Sequence, residues 1–310
     1  MTEPRMAWIA EDPASKAVVE VARRVAETST TLLITGESGT GKDHLARLIH
    51  ELSPRRDAPF LKIDCASLPQ ELVESELFGH ERGAFTGAVE RKLGRLEMAG
   101  AGTIVLDEVA ALTPSTQSKL LRVLEERQFE RLGGTETITI AARLIALTNA
   151  DLARLVSDGK FREDLFFRLS VLTISVPALR ARPADILPLA AALLERGARI
   201  HGRTGVFFSE AVLHMLAEYR WPGNVRELKN SIERALVFSD GLTLLPANFP
   251  ETVRTADSGF GVALRSLEDI ERDAIRATLE ATRYKISKSA EILGISRKTL
   301  LDKRKKYGLN

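Results

Sequence analysis

A glycine-rich segment, Gly36-Glu-Ser-Gly-Thr-Gly-Lys42, has the composition of a phosphate-binding loop. It follows a short apolar run and opens a helical one, so backbone N–H groups at the helix N-terminus can surround phosphates while Lys42 reaches the β- and γ-phosphates. Asp43 stands where most such loops place a Ser or Thr that binds magnesium. For this segment alone, a tight structural turn is the alternative. The residues expected to bind ATP here are Gly36, Glu37, Ser38, Gly39, Thr40, Gly41, Lys42 and Asp43.

Two adjacent carboxylates, Asp107 and Glu108, end an apolar run that begins at Thr103. In parallel α/β sheets ligands bind at the carboxyl ends of strands, so both acids would lie beside the phosphates. We expect Asp107 to hold Mg²⁺ through its water shell and Glu108 to orient and activate the attacking water. A solvated turn is the alternative. Asn149 ends a third run and is expected to sense the γ-phosphate or the water, although Thr-Asn also commonly begins a turn.

Phosphoryl transfer also needs cations that neutralise the developing charge. The segment Phe161–Leu169 supplies Arg162 and Arg168 within one predicted helix. Their spacing does not put both on one helical face. They could therefore contact the same nucleotide only near a helix end or at an interface, and an ordinary surface helix is the simpler interpretation.

The end of the chain is strongly basic. Residues 283–310 contain nine basic and two acidic side chains, a net charge of +7, whereas the whole chain has a net charge of only +2. This asymmetry favours a polyanionic partner for the end of the chain and argues against one for the rest.

The same basic segment has the pattern of a helix-turn-helix. Ala290 is expected to pack in the first helix, Gly294 to form the turn and Ser296 to cap the second helix. Leu300 and Tyr307 are expected to face inward. A solvated charged face is the alternative. The residues expected to contact double-stranded DNA are Ser296, Arg297, Lys298, Thr299 and Lys303.

The elements that must position these residues alternate over the first half of the chain. Short β-branched apolar runs predict buried strands and the intervening segments predict helices, which is the order of a parallel α/β sheet. The predicted strands are Thr31–Thr35, Pro59–Ile63, Thr103–Leu106 and Ala142–Leu147, and the predicted helices include Asp43–Leu52 and Ser115–Arg127.

After about Pro177 only helical periodicity is found, with Ser209 and Asn224 as predicted N-caps. The predicted helices are Asp185–Ile200, Ser209–Tyr219, Val225–Phe238 and Ser266–Thr282, the last with a stripe of Leu267, Ile270, Ala274 and Thr278 that is expected to pair subunits. We predict four parts: an α/β nucleotide-binding subdomain (1–176), a helical lid (177–245), a linker rich in Pro, Gly and Thr (246–263), and an all-α helix-turn-helix domain (264–310).

Composition limits the class of protein. The chain is 44% hydrophobic and 28% charged, as is usual for a globular protein, and no apolar run approaches the roughly 20 residues of a membrane span. No signal-peptide pattern is found at the start. The single cysteine, Cys65, excludes an intrachain disulfide and is expected to be a buried structural thiol. A cytoplasmic protein without a membrane partner is therefore expected.

Taken together, these segments resemble the AAA+ activators of sigma-54 RNA polymerase, the bacterial enhancer-binding proteins, over essentially the whole chain. The most specific match is Glu76–Ala88, which contains Gly83-Ala-Phe-Thr-Gly-Ala88, the hallmark loop of that family. From the residues alone, Gly83–Ala88 is a glycine-flanked turn whose aromatic side chain could be a buried anchor. Supporting matches are Gly36–Lys42, Leu106–Glu108, Phe161–Leu169 and Trp221–Leu228, and the end of the chain resembles a Fis-type domain.

The resemblance implies roles for particular residues. Phe85 and Thr86, flanked by Gly83 and Gly87, would form the tip of a nucleotide-driven loop that engages the sigma factor. The chain would form a homo-oligomeric ring, usually a hexamer, in which Arg162 and Arg168 reach the ATP of the neighbouring subunit. Arg226 would contact the nucleotide from the helical subdomain.

Three positions depart from the family pattern. Asp43 replaces a usual Glu, so the missing Ser or Thr is a family trait. Asp64 replaces a usual Asn that restrains the catalytic Glu, and an acid there could repel Glu108. Ile9-Ala10 replaces Ile-Gly and only slightly changes the expected adenine pocket near Ile9.

The expected function is ATP-driven activation of transcription at sigma-54 promoters from upstream DNA, with ATP and Mg²⁺ as cofactors. Because the phosphate-binding loop begins at residue 36, no sensory domain is expected in front of it. Regulation is therefore expected to come from a separate inhibitor or partner acting in trans, or from the expression level. Two alternatives are a AAA+ remodeller of another protein and a DNA-binding repressor whose ATPase sets oligomeric state; neither has a reason to contain the hallmark loop. Fold alone does not separate them.

Overall fold

The computed structural model of the chain describes residues 8–254, 271–272, 274–276, 278–279, 282 and 284–308. The chain divides into two units, Met1–Thr255 and Ala256–Asn310. The first unit contains the sheet and a helical subdomain. The second contains the helix-turn-helix.

A five-stranded parallel sheet in the order β2-β5-β8-β1-β9 organises the first unit. This confirms the predicted α/β class, and the four predicted strands are present with ends that differ by at most one residue. The fifth strand, β9, was not predicted; it pairs with β1 at the edge of the sheet. The strands are β1 Leu32–Thr35, β2 Phe60–Asp64, β5 Thr103–Asp107, β8 Arg143–Thr148 and β9 Leu172–Ser175.

Both faces of the sheet are covered by helices. Successive side chains of a strand point to opposite faces, and the apolar ones on each face pack against a different set of helices. Leu32 and Ile34 pack with α1 and α2, whereas Leu33 packs with α3, α5 and α7 on the other face. The helices are α1 Pro13–Ala26, α2 Lys42–Glu51, α3 Gln70–Phe78, α4 Arg95–Met98, α5 Pro114–Glu126, α6 Leu152–Ser157 and α7 Glu163–Leu169.

Two antiparallel hairpins extend from this framework. The first, β3 Gly79–His80 with β4 Lys92–Leu93, contains the loop Gly83–Ala88; the second is β6 Gln128–Glu130 with β7 Thr137–Thr139. The two lie against each other, since a Cβ on Gly133 would come within 2.8 Å of the Ala84 Cβ. Neither hairpin was predicted.

The helical subdomain has its own core around the fully buried Trp221. Its elements are α8 Ile186–Ile200, α9 Glu210–Glu218, α10 Asn224–Phe238, α11 Glu251–Arg254, the strand pair β10 Phe207–Phe208 and β11 Thr243–Leu244, and 3-10 turns at Leu179–Ala181, Pro183–Asp185 and Pro246–Asn248.

Two predictions for this subdomain are wrong in part. The linker predicted over 246–263 does not begin at 246, because Phe249 and Val253 are each 1% exposed in the subdomain core; residues 255–263 lie outside the described residues. Ser209 caps α9 as predicted, but Gly223 is the N-cap of α10 and Asn224 is its first residue. Asn224 has φ +53° and uses its side chain for tertiary hydrogen bonds instead.

The second unit confirms the predicted helix-turn-helix. The two helices of this motif are α12 Ile286–Ile292 and α13 Arg297–Lys306. Ala290 and Leu300 are buried, Gly294 has φ +66° in the turn, and the Ser296 hydroxyl accepts a hydrogen bond from the Thr299 N–H as N-cap. Within the preceding predicted helix, Leu267 and Ile270 lie outside the described residues, while Ala274 is exposed and Thr278 partly exposed.

Candidate functional site

The glycine-rich loop joins β1 to α2, as expected. Gly36, Gly39 and Gly41 all have positive φ, and a Cβ on Gly39 would come within 2.5 Å of the Gly223 carbonyl oxygen. Lys42, 7% exposed, donates to the carbonyl oxygens of Gly36 (2.8 Å) and Glu37 (3.2 Å). Burial lowers the pKa of Lys42, against the opposing charges of Glu108, Asp107 and Asp43. The lysine thus lies inside the curve of the loop.

The acids predicted at the end of β5 lie beside that lysine. Glu108 Oε1 is 4.0 Å from Lys42 Nζ, and Glu108 Oε2 accepts a hydrogen bond from the Asn149 N–H at 3.1 Å. Glu108 has φ +51°, a left-handed conformation that is uncommon outside glycine and is often found at functional sites. The ends of β5 and β8 therefore hold this carboxylate in one place. The Asn149 contact comes from its backbone.

A lysine that sequence reasoning missed lies in the same cluster. Lys62 Nζ is 2.5 Å from Asp43 Oδ1 and 2.7 Å from Asp107 Oδ2. Burial lowers the pKa of Lys62, but the hydrogen bonds to Asp107 and Asp43 outweigh it and the pKa lies above its usual value. The available signal was a lysine among the apolar residues Phe60, Leu61 and Ile63 of strand β2. The two carboxylates therefore converge on one cation position.

Asp64, the acid that could repel Glu108, forms its hydrogen bonds within its own turn. It pairs in register with Asp107 across β2 and β5, and its Oδ1 accepts hydrogen bonds from the N–H groups of Ala66 (3.0 Å) and Ser67 (3.1 Å). Burial raises the pKa of the neighbouring Cys65 to about 12, and the negative charges of Asp64 and Asp107 act in the same direction. That buried thiol is therefore protonated, as expected for a structural cysteine.

The helical subdomain contacts the outer side of the glycine-rich loop at several points. Arg226 Nη1 donates to Ser38 Oγ at 2.7 Å, and the Asn224 amide donates to the Ser38 carbonyl oxygen at 3.0 Å. Arg180 forms two hydrogen bonds with Glu37, at 2.8 and 2.5 Å. The Asn224 amide also donates to Glu37 Oε2 at 3.1 Å. The Arg180 bonds first, and then this Asn224 bond, lower the pKa of Glu37 to about 2. Arg226 was expected here; Asn224 and Arg180 were missed.

A cavity of about 240 Å³ lies between the loop and the helical subdomain. Ile9, Thr40 and Gly41 line it, together with Trp8, whose indole stacks on the His44 ring at 5.6 Å between centroids. The Trp8 indole nitrogen is buried without a hydrogen-bond partner. A largely apolar slot that contains two unused donors, Trp8 Nε1 and Arg182 Nε, and is open to the start of α2 suits a planar heteroaromatic ring such as a purine.

The two arginines expected to act on phosphate lie apart from this cluster. Arg162 is the N-cap of α7 rather than a residue within the helix, which corrects the prediction of one helix over both arginines. Its guanidinium pairs with Asp164 at 2.7 Å, while Arg168 pairs with Glu125 at 3.3 Å. Both arginines are exposed. Both guanidinium groups therefore lie on the surface of the chain.

The loop Gly83–Ala88 forms a compact turn at the tip of the β3–β4 hairpin. The Gly83 N–H donates to the Ala88 carbonyl oxygen at 2.8 Å, and Gly83 and Gly87 have φ of +82° and +105°. Phe85 is 41% exposed and meets the His80 ring edge-on at 4.9 Å. Thr86 is exposed beside it. Phe85 is therefore not the buried anchor that was the alternative.

In the second unit, Arg297 and Lys298 are exposed at the start of α13. Ser296 and Thr299 hydrogen-bond through their hydroxyls at 2.8 Å, so both take part in the helix cap. Lys303 forms an ion pair with Glu271, which also accepts from the Tyr307 hydroxyl at 2.6 Å. Of the five predicted contacts, Arg297 and Lys298 have the freest cationic groups.

The fold and the glycine-rich loop define a P-loop ATPase domain of the AAA+ class followed by a helix-turn-helix. Comparison with known families agrees: residues 8–175 match the Sigma-54 interaction domain, 180–261 the AAA+ ATPase lid domain, and 266–307 the Fis family of bacterial regulatory proteins. The chain belongs to the family of sigma-54-dependent transcriptional activators.

Individual relatives are similar over nearly the whole chain. It is 39% identical to the transcriptional regulatory protein FlbD of Caulobacter vibrioides over 325 aligned positions, which cover 99% of this chain and 71% of FlbD. It is 46% identical to the alginate biosynthesis regulator AlgB of Pseudomonas aeruginosa over 300 positions (96% and 66%), and 43% identical to a Nif-specific regulatory protein of Azotobacter vinelandii over 304 positions (93% and 56%). The chain thus spans between about half and three quarters of these relatives.

Among solved structures, NtrX from Brucella abortus in complex with ADP superposes with a TM-score of 0.75 at 33% identity, over 98% of this chain and 70% of NtrX. The same protein in complex with ATP gives a TM-score of 0.73 at 35% identity, with the same coverage. In the described part of the chain, every helix is too short or too polar to cross a membrane.

Proposed function

We propose that this chain is an ATP-hydrolysing transcription activator that remodels the closed complex of sigma-54 RNA polymerase through the loop Gly83–Ala88 while bound to upstream DNA. The observation that carries the proposal is an exposed Phe85 on a hairpin that is built on the same α/β unit as Lys42 and Glu108. The proposed nucleotide site at the sheet edge and the proposed protein-contacting loop thus belong to one α/β unit.

In this proposal ATP lies between the glycine-rich loop and the helical subdomain. Lys42 exchanges its hydrogen bonds to the loop carbonyl oxygens for bonds to the β- and γ-phosphates, and Arg226 reaches these phosphates from the helical subdomain. The adenine ring enters the cavity beside Ile9 and Trp8. Asn149 completes the edge near the γ-phosphate. The loop glycines leave their N–H groups free to approach phosphate oxygens.

Mg²⁺ fits this site. The Lys62 ammonium contacts both Asp43 and Asp107, so the two carboxylates already share a cation, and carboxylate oxygens are the ligands that magnesium prefers. When bound, Mg²⁺ would neutralise charge on the β- and γ-phosphate oxygens. Glu108 would orient the attacking water and accept its proton. Asp64 would act on this group only indirectly, because its carboxylate is bonded within its own turn.

We also propose a ring, with a hexamer as the expected size. Arg162 and Arg168 pair with Asp164 and Glu125 of their own chain and lie on the exposed surface. Surface ion pairs of this kind are weak, so a neighbour's triphosphate can replace the carboxylates as partners. Each site would then be completed by the adjacent subunit.

The experiment that tests the function is co-elution of the purified chain with sigma-54, with and without ADP and aluminium fluoride as a transition-state mimic. A complex that forms only with the mimic is the expected result. ATP turnover without any complex would instead favour a AAA+ remodeller of another protein. DNA binding with ATP-dependent assembly but no complex would favour a repressor.

Phe85→Ala is expected to abolish this complex while leaving ATP turnover within about twofold of the unchanged protein. The side chain is 41% exposed and contacts His80 of the β3–β4 hairpin, whereas Lys42 belongs to α2. Aromatic side chains at the centre of an interface commonly contribute about 2 kcal/mol or more. Phe207→Ala, another exposed phenylalanine at 54%, is the matched control and should retain the complex. Equal loss of turnover and complex in Phe85→Ala would contradict the assignment of the loop.

Replacing both Arg297 and Lys298 by Ala is expected to weaken DNA binding uniformly across sequences and to lower the slope of log K against log salt by about two, since each lost phosphate contact lowers it by about 0.9. Fluorescence anisotropy with a random-sequence duplex at several salt concentrations measures this slope. Lys160→Ala, which removes an exposed lysine of the first unit, is the control. An unchanged slope would exclude the start of α13 from the interface.

A further inference from the structure

Lys62 occupies a position that the proposed ATPase function does not explain. It lies on β2, an edge strand of the sheet, and its side chain reaches across to the end of β5 and the start of α2. There its ammonium contacts Asp107, the proposed metal-binding acid, and Asp43, the residue directly after Lys42. The Nζ distances of 2.7 and 2.5 Å are those of charge-assisted hydrogen bonds.

The ammonium and a magnesium ion compete for the same acceptors. A hydrated Mg²⁺ held by Asp107 needs the carboxylate oxygens that Lys62 now uses, and two cations cannot lie within hydrogen-bond distance of them without strong repulsion. Lys62 is 36% exposed on a flexible four-carbon stem, so it can move into solvent. Ion pairs with this exposure are weak enough to be exchanged.

We propose that Lys62 is a built-in competitor for Mg²⁺, which holds Asp43 and Asp107 in the metal-free protein and is displaced when Mg²⁺ binds with the nucleotide. The inference rests on the proposed Mg²⁺-dependent ATP binding. Lys62 has two effects. It neutralises two neighbouring carboxylates that would otherwise repel the incoming triphosphate, and it raises the Mg²⁺ concentration at which the loaded site forms.

The test is the binding of a fluorescent ATP analogue to Lys62→Met at a series of buffered Mg²⁺ concentrations. The half-saturating Mg²⁺ concentration is expected to fall about threefold to tenfold relative to the unchanged protein, as expected when two ion pairs of the usual exposed strength are removed. In EDTA the analogue should bind more weakly to Lys62→Met than to the unchanged protein, because two carboxylates then face the phosphates without a cation.

A second readout does not depend on the nucleotide. Mg²⁺ alone should raise the melting temperature of Lys62→Met more than that of the unchanged protein. Lys62→Gln keeps a polar side chain and should behave like Lys62→Met, which separates loss of charge from loss of solubility on the edge strand. Lys119→Met is the matched control, because Lys119 forms an ion pair with Glu74 at 45% exposure away from the site, and it should leave every Mg²⁺ response unchanged.

Two results would overturn the inference. An unchanged Mg²⁺ requirement in Lys62→Met would mean that the contact is an ordinary surface ion pair. Analogue binding weakened equally in EDTA and in saturating Mg²⁺ would mean that Lys62 contacts the nucleotide instead of competing with the metal. If the unchanged protein binds the analogue without any Mg²⁺ dependence, the proposed Mg²⁺-ATPase function fails together with the inference.

Discussion

Glu108→Gln is expected to lower ATP turnover by about 10²-fold to 10⁴-fold, which is the usual contribution of a positioned general base. The affinity for ATP should stay within about threefold of that of the unchanged protein. Glutamine has the same shape and can still accept the Asn149 N–H at Oε1, but it cannot take a proton from water. The strained backbone at residue 108, with φ +51°, is unchanged by this substitution. The loss is therefore expected in the chemical step and not in folding or binding.

Steady-state phosphate release and equilibrium binding of a fluorescent ATP analogue separate these two quantities. Glu126→Gln is the matched control: Glu126 is exposed and pairs with Arg122 on α5, so its replacement should change neither quantity. Retained turnover in Glu108→Gln would show that this carboxylate is not the general base of the reaction. Loss of binding together with turnover would mean that the ion pair between Glu108 and Lys42 at 4.0 Å organises the phosphate site.

Arg162→Ala is expected to lower turnover by about 10³ or more, the usual effect of removing an arginine that stabilises the transferring phosphate, with little effect on nucleotide binding to a single subunit. Within its own chain Arg162 pairs with Asp164 and Ser118, both remote from the glycine-rich loop in sequence. Arg199→Ala is the control, since Arg199 is likewise exposed and pairs with an acid, Glu195.

A mixing experiment decides whether Arg162 acts on the neighbouring subunit. Arg162→Ala subunits retain Glu108, and Glu108→Gln subunits retain Arg162, so each is inactive alone. In mixed rings, a site with an intact Glu108 can receive an intact Arg162 from the adjacent subunit, and turnover should reappear. An inactive mixture of subunits that assemble normally would contradict action across the interface and would leave Arg162 as a surface residue at the start of α7.

Local chemical patterns in the sequence predicted much of the site. The glycine-rich loop, the two acids after Leu106 and the capping Ser296 depend on a few neighbouring residues whose backbone requirements and hydrogen-bonding groups are visible in the sequence. The alternation of short apolar runs with helical segments was sufficient for the α/β class. The Gly83–Ala88 loop was identified through resemblance to a family, since the residues alone predicted only a turn.

Other features depend on contacts between distant parts of the chain, which only the tertiary structure decided. The strand order brings β2 beside β5, and that neighbourhood places Lys62 between Asp43 and Asp107. The Asn224 amide donates to the carbonyl oxygen of Ser38, 186 residues away, because the helical subdomain packs on the glycine-rich loop. A residue that was predicted as an N-cap therefore forms a tertiary contact instead. Local propensity contains no information on which strands or subdomains become neighbours. The glycine-rich loop, the two acids after Leu106 and the helix cap at Ser296 could therefore be predicted from the sequence. Their tertiary partners could not.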